Sequence, residues 1–219
     1  MLVKNRLLFA LLLVATSTLA QDKVVLNTRL PPPLFVGTPV PLNVPNLEPP
    51  IRGKRPDFMI PAGTINLARS KKVSSSDNKP NVGTPDMVVD GDKAGDEGSW
   101  VELGPGKQWV QIDLARKASI YAVLVWHFHS QARVYHDVVV QVSDDPAFKS
   151  GVSTIFNNDF HNELGLGAGK DQNYIETYQG KLIDAKGVSG RYVRLYSNGN
   201  TANKLNHYIE VEVWGKPAA

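Results

Sequence analysis

Four stretches of this chain alternate apolar and polar residues with a period of two, which constrains the fold more than any other feature. Val110, Ile112 and Leu114 alternate with Gln111 and Asp113, and Val193 and Leu195 with Tyr192, Arg194 and Tyr196. Val134, Val138, Val140 and Val142 oppose Tyr135, Asp137, Gln141 and Ser143; Ile209, Val211 and Val213 oppose Glu210 and Glu212. Successive side chains of a strand point to opposite faces, so each stretch is a strand with one face turned to a core. Residues 120–126 are apolar at every position, as expected of a central strand covered on both sides. Gly, Asn, Asp and Pro separate the stretches, and no sustained 3.6-residue periodicity occurs after the first twenty residues. The expected fold is all-β, an antiparallel β-sandwich or jelly roll over residues 64–216.

The N-terminal part reads differently. Lys4 and Arg6 precede the apolar run Leu7 to Ala15, and Thr18-Leu19-Ala20 supplies small residues before Gln21. This is the pattern of a signal peptide over residues 1–20, and the apolar run is short for a membrane span. Residues 21–63 form a Pro-rich arm: ten of the fifteen prolines fall between Leu30 and Pro61. Proline lacks the amide donor of a sheet ladder, so the arm is expected to run extended, as a tether or a strap across the domain. Leu34, Phe35, Val36, Leu42, Val44, Leu47 and Phe58 favour the strap, since a pure spacer has no need of them.

The chain has no cysteine, which excludes disulfides, thiolate metal sites, a cysteine nucleophile and a lipoprotein anchor. Without Lys4 and Arg6 it carries 22 basic residues against 21 acidic. No dense basic stripe with interleaved aromatics exists, which argues against nucleic acid as a partner. The cluster Arg52-Gly53-Lys54-Arg55 reads as solvated linker charge. A secreted or periplasmic location follows from the signal peptide, with no transmembrane segment after its cleavage.

Taken in order, Asn66-Leu67-Ala68, Val89-Asp90-Gly91-Asp92, Gln108 to Leu114, Val140 to Asp145, Gly190 to Tyr196 and Ile209 to Gly215 resemble the discoidin (coagulation-factor C-type) domain. That family is close kin of the family 32 carbohydrate-binding modules. The resemblance covers roughly residues 66–215, and the ordered set is more specific than any one motif. It implies a galactose-binding-like jelly roll that binds and does not catalyse. Animal members join their ends by a disulfide, so a chain without cysteine points to a bacterial exported protein.

Four places can carry chemistry. Asp90, Asp92 and Glu210 match the resemblance's structural calcium site, in which a carboxylate and backbone carbonyls wrap the ion and a last-strand glutamate completes it. An ordinary Asp-Gly turn with solvated acids is the other reading. Gly98 stands where the family has Ser or Thr, and Asp96 and Glu97 lie in the inserted segment before Trp100. The second place holds His127, His129, Arg133 and His136. His127 and His129 have the spacing that puts both on one face of an extended segment, and histidine with arginine suits sugar hydroxyls or, for the histidines, a transition metal. Hydrogen bonding across the sandwich rim is the alternative. Third is the insert from Asn157 to Asp171, long for a hairpin and rich in Asn, Asp and Gly; it could hold a second cation or donate to hydroxyls. Phe160 and Leu164 are its only candidates for apolar spikes that enter a lipid surface. Last, Asn198 and Asn200 either form turns or complete a site with His127 and Arg133, as the resemblance implies.

The leading expectation is a non-catalytic module recognising carbohydrate through loops at one end of the sandwich, with a possible structural calcium ion. A cell-surface or matrix protein that binds another protein is the alternative, and an accessory part of a glycan-degrading system the third. No G-x-S-x-G, H-E-x-x-H or nucleophile–base pair is visible.

Overall fold

In the computed structural model, which describes residues 22–34 and 41–218, the chain forms eleven strands and one 3-10 turn. The expected signal peptide and the pair Phe35 and Val36 lie outside the described residues. In chain order the strands are β1 Lys23–Val25, β2 Met59–Pro61, β3 Ile65–Asn66, β4 Lys72–Ser75, β5 Val101–Leu103, β6 Gln108–Trp126, β7 Val139–Ser143, β8 Ser153–Asn157, β9 Lys181–Ser197, β10 Asn206–Tyr208 and β11 Glu210–Pro217. The 3-10 turn is Pro85–Val89. All pairings between strands are antiparallel.

The sandwich is made by bending two long strands. β6 and β9 pair along most of their length, with breaks in register between Asp113 and Ala118 and between Ile120 and Ala122. At the first break Ala115 has φ 69°, and the Asp113 carboxylate accepts its amide. The first half of β6 carries β4 on one side and β9, β7 and β8 on the other. Its second half lies between β11 and β9, with β3 beyond β11. The bend folds these halves over one core, in which Val110, Ile112, Val140 and Leu195 meet Val123, Val125, Val211 and Val213. A separate ladder of β5 and β10 contributes Val101, Leu103 and Tyr208 to the same core.

The doubly apolar stretch 120–126 now has its reason. Val123 and Val125 face the main core, while Ala122, Leu124 and Trp126 face the other way, into a second cluster with Ile209. The N-terminal arm covers that second face. Leu26 and Ile60 are buried in the cluster, and Leu30 and Phe58 pack on it. β1 and β2 pair with each other, and Pro61 sits in this two-stranded ribbon, where it removes no ladder bond from the large sheet.

Further along the arm, Leu47 bridges Asn173, Lys181 pairs with Glu48 at 2.5 Å, and Arg55 donates to the Gln179 and Gly180 carbonyls. Arg55 is therefore an anchor and not solvated linker charge; its guanidinium pKa is lowered, chiefly by burial. Removing apolar surface of this kind from water is worth about 25 cal/mol per Å², so the strap adds to stability as well as to shape.

Three stretches depart from the alternation pattern. Ile209 precedes β11 and packs in the second cluster, away from Val211 and Val213, and Glu210 and Glu212 are buried. Val134 to Val138 is not part of a strand, because Asp137 takes φ 53° and breaks the extended run before β7. All five residues of β7 are buried, although alternation exposes Gln141 and Ser143. The insert 157–171 explains part of this: Leu164 and Leu166 fold back onto Val139, Tyr196 and Trp109. Leu164, at 5 % exposure, is a packing residue and not a lipid-entering spike.

Candidate functional site

The end of β6 passes Trp126-His127-Phe128-His129 into a connection that leads to β7, and this connection meets the loop after β9. Tyr135 bridges Asn200, the His136 amide donates to the Gly199 carbonyl, and the Asn198 amide donates to the His136 carbonyl. Thr201 closes the contact by donating its amide to Val134. Backbone pairing thus brings the Val134–His136 segment to the Asn198–Thr201 loop. Trp100 and the loop before it form the other wall, with Trp100 edge-on to Phe128 at 5.1 Å.

Within this rim the residues take different roles. His127 and His129 are fully buried. His127 Nδ1 donates to Glu176 at 2.6 Å, and its ring stacks on Tyr135 at 4.3 Å. His129 Nε2 donates to the Lys93 carbonyl at 2.8 Å. The two imidazoles hold different partners and do not converge. Among the described residues no three His, Asp or Glu side chains gather as a metal cage.

Arg133 is 8 % exposed, and its guanidinium lies 4.3 Å from the Phe128 ring centre. Nη2 donates to Gln131 at 3.1 Å, but Nε and Nη1 have no partner. The Trp100 indole N–H is also buried and unpartnered. Buried donors are almost always satisfied, and an orphan is expensive, so free donors on two groups that both pack against Phe128 mark a place prepared for an acceptor.

Behind Arg133 runs a relay that sequence reasoning missed. Tyr135 O–H donates to His207 Nδ1 at 2.9 Å, and His207 Nε2–H donates to Glu102 at 3.0 Å. Burial, and after it the Arg133 charge, lowers the His207 pKa to about 4, so the ring is neutral. Burial likewise pushes the Tyr135, Tyr174 and Tyr208 phenols up. Glu102 and Glu176 lie far along the chain from their histidines, and no motif announces them.

His136 is half-buried at the rim. Asn198 Nδ2 donates to the Asp137 carboxylate, whose pKa is raised by burial. Asn200 is committed to its own turn: Nδ2 donates to Asn203 and Leu205, and Oδ1 accepts the amides of Ala202 and Asn203.

The Asp90 loop stands to one side. Asp90 and Asp92 are exposed and accept the amides of Asp92 and Ala94. Glu210 is fully buried; Oε2 accepts the Gly91 amide at 3.0 Å and Oε1 has no partner. Burial pushes its carboxyl up to about 8. Gly91 has φ 84°, and the Arg69 guanidinium occupies the space a side chain would need.

In the insert, Asp159 is fully buried and accepts the amides of Glu163 and Leu164. Asn157 and Asn158 also bond within the protein. Asn157, Asp159 and Asp171 hold the loop's own backbone, and Asn158 ties it to Val138 and Asn173, so the loop's polar composition reflects its own folding.

The model of the F5/8 type C domain matches residues 70–211. The chain belongs to this family. Its F5/8 type C domain has the galactose-binding-like fold and is similar to a segment of a family 89 glycoside hydrolase from Clostridium perfringens. The TM-score is 0.53 at 16 % identity, over 70 % of this chain and 15 % of that one. It is also similar to a Streptococcus pneumoniae fucose binding module, with 20 % identity, TM-score 0.46, and 68 % and 96 % of the two chains covered. The CBM32 of AlyQ, in complex with 4,5-unsaturated mannuronic acid, matches at 19 % identity and TM-score 0.44, covering 65 % and 92 %. No curated protein matches the chain. Among the described residues no helix is long and apolar enough to cross a membrane.

Proposed function

We propose that this F5/8 type C domain is an exported, non-catalytic carbohydrate-binding module whose ligand sits at the rim formed by Trp100, Phe128, Arg133, His136 and Asn198. The observation that carries this reading is Arg133, a buried guanidinium with two unpartnered donors laid across an aromatic ring. A sugar offers what this place lacks: hydroxyl oxygens that accept from a rigid fork, and an apolar ring face that packs on Trp100 and Phe128. The exposed Gln131 side chain holds Nη2 and is the group a hydroxyl replaces. His127 and His129 stand behind the rim and fix its walls, and Asn200 shapes the loop that carries Asn198.

A structural calcium ion belongs to the same proposal. The orphaned, buried Glu210 Oε1 fits a hard cation, and the Asp90 carboxylate is near enough for its charge to raise the Glu210 pKa. Glu210, Asp90 and carbonyls of the turn would hold the ion, which supplies the positive charge that stabilises Glu210 in its ionised form. A second reading, adhesion to a protein, is favoured by the exposed apolar residues of the β1–β2 ribbon, of which Val25 and Met59 pair on its outer side at 43 % and 47 % exposure.

A glycan array probed with the full chain, with calcium and with chelator, tests the proposal beside Arg133→Met. Binding lost in the variant supports the rim as a sugar site. Silence of the folded, unaltered chain across the array overturns it and moves the reading to a protein partner.

A further inference from the structure

The loop that ends in Trp100 is held from two sides, and one of them is the arm. Lys93 opens this loop and is 8 % exposed. Its ammonium pairs with Glu212 of β11 at 2.5 Å and donates to Thr28 Oγ1 at 3.0 Å and to the Arg29 carbonyl at 3.1 Å. Thr28 in turn donates to Glu212 at 2.9 Å, and the ammonium lies 5.0 Å from the Trp126 ring centre. An ammonium has three donors, and here each has an acceptor, two of them from the arm.

From the other side, His129 donates to the Lys93 carbonyl and Ser130 Oγ donates to the Gly95 carbonyl. Gly95 has φ 76°, and a side chain there meets the His129 ring at 3.1 Å. Among the described residues, the only other bonds between Lys93 and Trp100 are those of the turn at Ser99 and Asp96 and the Asp92 cap on Ala94. Trp100 itself packs on the apolar cluster that contains Leu26 and Ile60 of the arm. Thr28, Arg29, Leu26 and Ile60 all precede residue 70, where the family match begins.

We propose that Lys93 is a positioning residue for the rim and that the arm, through Thr28 and Arg29, is part of the site's architecture. This rests on the carbohydrate reading of the rim. Without the arm's two acceptors the buried ammonium keeps a carboxylate but loses the bonds that fix its direction, and a buried charge with unmet donors leaves for solvent. The loop follows it, Trp100 loses its seat, and the aromatic wall facing Phe128 is no longer preorganised.

The test compares the full chain with Lys93→Met, Thr28→Val and Lys93→Arg. Amide hydrogen exchange is read over residues 94–100, with β6 and β9 as internal controls for an intact fold. Affinity is read by titration with free galactose and free fucose. Exchange over 94–100 is expected to rise about tenfold in Lys93→Met and less in Thr28→Val, with β6 and β9 unchanged. Affinity for whichever sugar binds falls about tenfold in Lys93→Met, the equivalent of about 1.4 kcal/mol, and recovers in Lys93→Arg. Unchanged exchange over 94–100 overturns the arm's role. A loosened loop with unchanged affinity overturns Lys93 as a positioning residue. If the unaltered chain binds neither sugar, the affinity half falls with the carbohydrate reading, while the exchange comparison still decides whether the arm holds the loop.

Discussion

The insert 157–171 and the rim around Arg133 are both loop-borne and polar, yet they use their polar groups in opposite ways. In the insert, the buried Asp159 carboxylate accepts two amides of its own loop, and Asn157 and Asn158 bond to nearby backbone and side chains. At the rim, Arg133 and Trp100 keep donors that no protein atom meets. Composition ranks the two as equals. The difference lies in satisfaction: a loop that closes its own bonds builds structure, whereas one that leaves donors open stores a cost that a ligand can relieve.

The largest effect that could break this contrast is on stability. Asp159→Ala leaves the Glu163 and Leu164 amides unpaired and loosens Leu164 from Val139, at a cost of about 3 kcal/mol in denaturant unfolding. Sugar affinity stays as it was. A variant that binds less well while remaining folded would show that the insert reaches the ligand.

A pH effect of similar size belongs to the rim. His207 is neutral in the folded protein because its pKa is lowered to about 4, against an ordinary value near 6.5. The unfolded chain takes up that proton first as pH falls. The stabilisation is therefore complete above about 6.5 and is lost as pH drops towards 4, by up to about 3 kcal/mol. Chemical unfolding of the full chain at a series of pH values, beside His207→Phe, reads this directly. A variant with the same slope in that window assigns the loss to other groups.

Arg133→Met should separate binding from stability in the reverse sense to Asp159→Ala. It removes two unpartnered buried donors and keeps most of the packing on Phe128, so the folded state is as stable as before or about 1 kcal/mol more so. Affinity falls about thirtyfold, close to 2 kcal/mol. A marked loss of stability would mean that the guanidinium is satisfied in solution and that the rim is structural.

Much of this fold was legible because period-two alternation reports directly which face is buried. The strands at 109–114 and 193–195 lie where alternation puts them, and 120–126 is central as its composition demands, whereas at 209–213 only Val211 and Val213 share the core face and Ile209 packs on the other cluster. The apolar residues of the arm, Phe58 among them, pointed to a strap, but that Leu26 and Ile60 cover the outer face of 120–126 was not legible. Alternation also ran past its domain at 134–138, since a single left-handed residue, Asp137, ends the strand without changing the pattern. At the rim, a polar, loop-borne segment after residue 126 was foreseeable. The commitment of His127 to Glu176 and of His207 to Glu102 was not, because those pairings span 49 and 105 residues and follow from topology alone.

Asn198 and Asn200 repeat the contrast within one loop, on the smallest scale. Asn200 closes four bonds inside residues 200–205, so Asn200→Ala removes a turn and costs about 1.5 kcal/mol of stability with affinity unchanged. Asn198 makes a single side-chain bond, from Nδ2 to the Asp137 carboxylate, which leaves its carbonyl oxygen available to a sugar hydroxyl. Asn198→Ala costs well under about 1 kcal/mol of stability but weakens sugar binding about threefold, as expected for one hydrogen bond at a wet rim. Paired melting curves and titrations of the two variants settle the order. If Asn200→Ala weakens binding more than Asn198→Ala, the ligand reads the turn itself, and the line between open and closed polar groups drawn here runs through the wrong asparagine.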